Sequence, residues 1–356
     1  MHKPMLVFCA ALIACRINLA AAEPAAWHAP GTTNVTMQSV TFSNGDATLR
    51  GTLYVPRSQR PVPAVVVYHG ASEPLATTPL YRHLCEGLPQ IGIAVLVFDR
   101  RGSGASTGKP DVAYQTLADD GVAGATAIRK LQEIDPARVG YWGISQGGWL
   151  ATLAASHDPH AAFAVAVSAP LVTPELQMEF AMSNRLHVLG YGRGDIDAML
   201  DARHKLDGYF MGRNSREAAV AALGRIAGRP WYSQMYLPKP ASVVKDPSKS
   251  SWRGEMDIDS FGAVAQVKIP ILYILGGEDP WIPVTETLAR LRTLSATRPN
   301  LSFAVVPRAN HLMIETPNET MNDADPAEIA TEAPQSPVYF MLLASWLERT
   351  LTAQKN

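Results

Sequence analysis

The sequence predicts an α/β protein: a mostly parallel central sheet flanked by helices, with a helical cap inserted late in the chain. Three observations predict it. Short continuous apolar runs such as "VPAVVVYHG" (62–70) and "PILYILGG" (270–277) read as strands covered on both faces. Helical patterns alternate with these strands, which argues for parallel pairing. Between 173 and 262 the strand-like runs vanish and helical spacing takes over.

Each element follows in order. "VTMQSVTF" (35–42) and "ATLRGTLYV" (47–55) alternate around Asn44-Gly45 and read as a hairpin. "IAVLVFD" (93–99) is a second buried strand after 62–70. "ADDGVAGATAIRKLQ" (118–132) reads as a helix, its acids early and Arg129 and Lys130 late, as the helix dipole favours. "ARVGYWG" (137–143) is a short strand and "GGWLATLAAS" (147–156) a helix. "AFAVAVSAP" (162–170) and "LSFAVVP" (301–307) are further strands, and "SPVYFMLLASWLERTL" (336–351) is a closing amphipathic helix. The core therefore spans 36–172 and 263–351, with the insertion at 173–262. Within the insertion, 174–189 and 196–211 carry helical patterns and 238–250 is rich in Pro, Ser and Lys.

The 356 residues are 47% hydrophobic and 18% charged, with a formal net charge of -1, which suits a large globular domain with an insertion. So small a net charge gives no electrostatic reason to expect nucleic acid as a partner. The first 22 residues read as an export signal: Lys3, the apolar run 5–15, then small residues before Glu23. Leu12-Ile13-Ala14-Cys15 also fits a lipobox, so a lipid anchor at Cys15 is the alternative to cleavage near Ala22. The expected location is periplasmic or secreted, or lipid-anchored, with no membrane-spanning segment. Cleavage at Ala22 would leave Cys85 alone, without an intrachain disulfide partner.

Gly143-Ile144-Ser145-Gln146-Gly147 is a G-x-S-x-G pattern. Such a pattern arises by accident in roughly one chain in ten of this length. Here a strand leads into it and a helix follows, which is the context of a nucleophile elbow. A serine nucleophile needs a base, and the base needs an acid to orient it, in the chain order Ser, acid, His. Asp279 follows the strand at 270–277, with Glu278 as the competing acid, and His311 follows the strand at 301–307. Ser145, Asp279 and His311 are thus the candidate catalytic residues. The backbone N–H groups of Gln146 and Ala71 are the candidate oxyanion hole. His69 precedes Ser145 and fits the order less well.

The pieces "YHGAS" (68–72), "VFDRRGSGASTG" (97–108), "DPARVGYWGISQGGWLA" (135–151), "LGGEDPWIPV" (275–284) and "ANHLM" (309–313) together resemble the α/β-hydrolases, in their serine esterase and S9/S33 peptidase-like branch. The resemblance implies the α/β-hydrolase fold and acyl transfer through Ser145, with neither metal nor organic cofactor. It makes Asp99, Arg100 and Arg101 a structural loop near the site. Trp231, Tyr232 and Trp281 are candidate substrate contacts in or near the cap, although aromatic residues there also suit its own core. The leading expectation is a hydrolase of small or medium carboxylic esters. A peptidase or amidase on the same fold is the runner-up, with a non-catalytic binding protein behind both. The sequence is silent on oligomeric state.

Overall fold

A computed structural model describes residues 34–71, 74–110, 113–256, 258–315 and 335–354. The expected leader, Cys15 included, lies outside them, as does Ser72. Eight strands form one sheet in the order β1-β2-β4-β3-β5-β6-β7-β8. β1 (Val35–Asn44) and β2 (Ala47–Pro56) pair antiparallel, Asn44 opposite Ala47, so the hairpin loop is Gly45-Asp46. β2 also runs antiparallel to β4 (Ala94–Phe98). From there β3 (Val62–Tyr68), β5 (Ile134–Ile144), β6 (Ala164–Val167), β7 (Ile271–Gly276) and β8 (Leu301–Val306) are joined by parallel pairs.

The two-residue period of these strands sorts their side chains between two cores. Val66, Tyr68, Leu96, Tyr141, Ala166, Tyr273 and Leu275 face one way. Val65, Val67, Val97, Trp142, Val165, Val167 and Ile274 face the other. Because both faces are covered, the parallel strands read as continuous apolar runs. α2 (Tyr114–Ile128), α3 (Gln146–His157) and α9 (Val284–Ser295) pack on the first face. α1 (Arg82–Gly87) and the closing helix, here α10 (Pro337–Ala353), pack on the second. Each large apolar side chain so covered contributes about 1.5–3 kcal/mol.

α2 starts earlier and ends earlier than the acid-then-base pattern predicts. Its acids serve tertiary partners rather than the helix dipole: Asp119 meets His157 and Asp120 meets Arg101. Arg129 stands just past the last turn, where its guanidinium holds Asp158 at 2.9 Å and the His160 carbonyl. Arg101 is buried and chelates Asp120 at 2.6 and 2.7 Å, with Asp46 and the Asn44 carbonyl also in reach. Removing one partner of such a buried pair costs about 3–5 kcal/mol, because the other charge is left without compensation.

The insertion between β6 and β7 is helical: α4 (Pro174–Val188), α5 (Arg193–Phe210) and α6 (Arg216–Ile226). Thr173 and Ser215 cap α4 and α6 by accepting from Leu176 and Ala218 amides, each cap being worth about 1 kcal/mol. Met182, Leu186, Met199, Leu206, Leu223 and Trp231 form a third core, separate from the two on the sheet. The Pro/Ser/Lys-rich stretch forms short 3-10 turns and leads to α7 (Ser251–Glu255). α8 (Ser260–Gln266) already belongs to the main body, since Val264 sits in the sheet's first core. No helix among the described residues is long and apolar enough to cross a membrane.

Two buried histidines make stability depend on pH. Desolvation lowers the His69 pKa from 6.5 to about 3, with Arg100 adding to the shift. Burial lowers His83 to about 4, partly offset by its bond to the Leu80 carbonyl. The unfolded chain binds these protons near pH 6.5, whereas the folded chain does not. Stability is therefore full above pH 6.5 and falls as the pH drops toward 4, by up to about 1.4 kcal/mol per pH unit for each histidine. Urea unfolding between pH 7 and pH 4 is expected to show a shallower decline for His83→Gln than for the wild type.

Candidate active site

The site is built where the parallel strands end. Ser145 sits between β5 and α3 with φ 56° and ψ -122°, a conformation that non-glycine residues rarely adopt. The turn is held by close packing. A Cβ on Gly143 would lie 1.9 Å from the Gly147 carbonyl oxygen, and one on Gly147 would lie 2.3 Å from that of Tyr68. Neither position admits a side chain, which is the physical content of the two glycines in the motif. The Ser145 amide donates to Val167 of the neighbouring strand at 2.8 Å, and its carbonyl accepts from Gly148 at 2.9 Å. Strain of this kind costs about 1–3 kcal/mol and persists only where the surroundings over-determine it. Ser168, Tyr236 and Met313 are the other non-glycine residues of positive φ among the described residues. Ser168 directly follows β6, Met313 lies two residues past His311, and Tyr236 packs on Trp281. The strain is thus gathered around one end of the sheet.

Asp279 and His311 follow β7 and β8 and are brought together. His311 Nδ1 lies 2.8 and 3.0 Å from the two carboxylate oxygens of Asp279. The Asp279 side chain is wholly buried, and the amides of Trp281 and Ile282 donate to its Oδ1 at 2.8 and 3.3 Å. A carboxylate can only accept, so Nδ1 carries a proton, and in the neutral form of the ring Nε2 is then the basic nitrogen. Glu278 is exposed, with its amide donating to the Ala309 carbonyl, whereas the Asp279 carboxylate is the one that meets His311.

Both expected oxyanion donors sit on constrained backbone. Gln146 is the first residue of α3, and first-turn amides have no partner within their own helix. Ala71 follows a loop whose His69 and Gly70 carbonyls accept from Arg100 at 3.2 and 3.3 Å, while the Gly70 amide donates to the Tyr81 hydroxyl at 3.1 Å. In a trans peptide the carbonyl and the next N–H point opposite ways, so fixing Gly70 on Arg100 turns the Ala71 N–H away from that guanidinium. Arg100 therefore shapes the site's loop, Asp99 accepts from the Ala76 and Ala105 amides at 2.8 Å each, and Arg101 is an internal brace. His69 is buried, packed edge-on against Tyr81 and Phe98, and kept neutral.

The three aromatic candidates part company. Trp231 is wholly buried in the cap's core and donates to Asp195 at 2.9 Å. The Tyr232 hydroxyl donates to the Pro238 carbonyl at 2.6 Å. The expectation of substrate contacts there thus meets two side chains already committed to holding the cap together. Trp281 instead lies beside His311, ring centroids 6.4 Å apart. The cap grips this loop, with Gln177 and Asn184 of α4 donating to the Trp281 and Pro280 carbonyls at 2.8 and 3.1 Å. Sequence reading missed Tyr114, which accepts from the Gln146 side chain at 2.8 Å and donates to Glu255 of the cap at 2.9 Å. Its only sequence signal is a half-polar aromatic soon after the 97–108 loop, since the helix it opens reads from the sequence as starting at 118. Among the described residues no group of three or more His, Cys, Asp or Glu is placed to hold a metal ion.

The model of a family described as "Alpha/beta hydrolase family" matches residues 64–324. A thiohydrolase, apmlB of Arthrinium phaeospermum, is 34% identical over 121 residues, which cover 33% of this chain and 38% of that protein. Among solved structures, an esterase of Pyrococcus furiosus superposes with a TM-score of 0.58 at 17% identity, covering 90% of this chain and 91% of its own. Est1E of Butyrivibrio proteoclasticus, solved with ferulic acid bound, gives a TM-score of 0.53 at 15% identity, covering 88% of this chain and 99% of its own. At these identities the structural likeness speaks for the fold. The Asp279–His311 pairing makes a spectroscopic prediction of its own. A downfield Nδ1–H proton resonance of His311 is expected to persist in Glu278→Gln and to disappear in Asp279→Ala.

Proposed function

Because the chain belongs to the alpha/beta hydrolase family, we propose that it is a serine hydrolase cleaving carboxylic esters of small or medium substrates. The observation that carries this reading is a strained serine elbow after β5 and a carboxylate-held histidine after β7 and β8, all at the same end of the parallel strands. In the proposed reaction Ser145 Oγ attacks the ester carbonyl carbon while His311 Nε2 takes its proton. The negative charge that develops on the carbonyl oxygen is met by the Gln146 and Ala71 N–H groups and the positive end of α3. The tetrahedral species expels the alcohol, which receives the proton from His311, and leaves an acyl group on Ser145. Water, deprotonated by His311, then attacks the acyl carbon; the bond from that carbon to Ser145 Oγ breaks, Oγ takes the proton back from His311, and the acid is released. Asp279 keeps the imidazole in the required tautomer and steadies its cation. No metal or organic cofactor enters these steps.

A second reading, thioester hydrolysis, is favoured by the named activity of the thiohydrolase relative. The same acyl-enzyme would form, with a thiolate leaving in place of an alkoxide. The proposal extends to export, on the strength of the leader pattern in residues 1–22. Intact-mass measurement of the secreted chain is expected to place its first residue at Glu23; a lipid adduct on Cys15 would reverse that choice.

The activity test is turnover of p-nitrophenyl esters of increasing acyl length, with acyl thioesters and aminoacyl anilides alongside. Ester turnover is expected to fall by on the order of 10⁴-fold or more in Ser145→Ala. Asp279→Asn is expected to lose roughly 10³–10⁴-fold, because the wrong tautomer is then favoured. Glu278→Gln is expected to stay near wild type. Preference for the thioesters selects the second reading, and preference for the anilides would make the protein an amidase.

A further inference from the structure

Taking Ser145 as nucleophile from the reading above, we propose that Tyr114 is a positioning residue for the oxyanion side of the site, joining Gln146 and cap helix α7 into one hydrogen-bonded unit. Three residues far apart in sequence meet here. Gln146 Nε2 donates to the Tyr114 hydroxyl at 2.8 Å, and that hydroxyl donates to Glu255 Oε2 at 2.9 Å. The directions are forced. An ionised Glu255 can only accept, so the phenol must give it the proton and keep its lone pairs for the Gln146 amide. Burial, followed by the nearby Glu255 charge, raises the Tyr114 pKa well above its ordinary value, so the hydroxyl remains a donor.

Both ends of this chain are anchored. Tyr114 is buried, its ring tilted against Trp149 at 6.1 Å, and Trp149 is itself fixed by donating to the Pro170 carbonyl at 2.6 Å. On the other side, Trp252 of α7 donates to Asp207 of α5 at 2.8 Å, so α7 is tied to the cap body as well as to the core. Trp252 and Glu255 are three residues apart and share one face of α7. Among the described residues Gln146 Oε1 is buried with no hydrogen-bond partner, so the orientation of this amide depends on Tyr114. Gln146 is the residue whose backbone N–H is assigned to the oxyanion. Tyr114 thereby couples the seating of the cap to the geometry of a donor that acts in the transition state.

The test uses the full chain with Tyr114→Phe, Glu255→Ala, their double mutant, and Glu255→Gln. It reads kcat and KM on a short p-nitrophenyl ester, together with hydrogen exchange of the α7 amides. Tyr114→Phe and Glu255→Ala are each expected to lower kcat about 10-fold with KM within about twofold, since a misplaced donor costs less than a missing one. The double mutant should match either single mutant, as members of one unit do. Glu255→Gln, whose amide oxygen still accepts, should restore near wild-type kcat. The α7 amides should exchange faster in Tyr114→Phe. Additive losses, failure of Glu255→Gln to rescue, or α7 exchange unchanged in Tyr114→Phe would each overturn the inference. If Tyr114→Phe does not fold, the contrast between Glu255→Ala and Glu255→Gln decides in its place. A wild type without turnover overturns the serine-hydrolase reading instead, and α7 exchange still decides the inference.

Discussion

A backbone approach closer than any side chain allows fixes the geometry of the whole site. Gly147 lies against the Tyr68 carbonyl, and Gly143 against Gly147, so β3, β5 and the start of α3 meet with no Cβ between them. That contact forces Ser145 into its positive-φ turn and ends β5 at the level where β3 ends. The Ser145 amide then registers the turn against β6 through Val167. Strand register carries the alignment on to β7 and β8, and so to Asp279 and His311. Local strain of about 1–3 kcal/mol is outweighed by two apolar cores packed on either face of the sheet.

Several polar groups around the site are paired and so hold position, while His69 Nε2, Gln146 Oε1 and Ser168 Oγ are buried without a hydrogen-bond partner among the described residues. Arg101 and Asp120 brace the loop after β4 from inside, Asp99 takes two backbone amides of that region, and Arg100 holds two carbonyls of the loop after β3. A single run, "FDRRGSG" at 98–104, thus supplies both an internal brace and a grip on an expected oxyanion donor. Asp279 is similarly over-determined, by two amides and an imidazole.

The positions of the strands and the elbow were legible because both depend on local sequence, whereas the order of the strands in the sheet is set by long-range pairing. Buried parallel strands are short apolar runs, and the elbow needs two glycines at fixed spacing around a serine. Asp279 and His311 could be proposed because an adjacent acid pair and a histidine follow their strands closely, in the chain order the chemistry asks for. What was not legible depends on contacts between distant segments. Tyr114 and Glu255 are 141 positions apart, and neither lies in a motif. Trp231 and Trp281 are the same residue type, yet one fills the cap core and the other lies beside His311. Side-chain identity alone cannot tell an aromatic that packs inward from one that faces a site. α6, α7 and α9 also went unread, the first two because their periodic stretches are short and α9 because its apolar residues are interspersed with charge.

The third core, inside the insertion, gives the molecule two sources of cohesion instead of one. Met182, Met199, Leu206, Leu223 and Trp231 pack on each other and not on the sheet. A substitution among them changes the free energy of opening the cap locally and leaves that of the sheet nearly untouched. Variation is therefore partitioned. Substitutions inside that core reach the proposed site through the contacts the cap makes with the main body, among them those of Gln177, Asn184 and Glu255. The cap's packing thus has steric room to vary independently, whereas Gly143 and Gly147 have none.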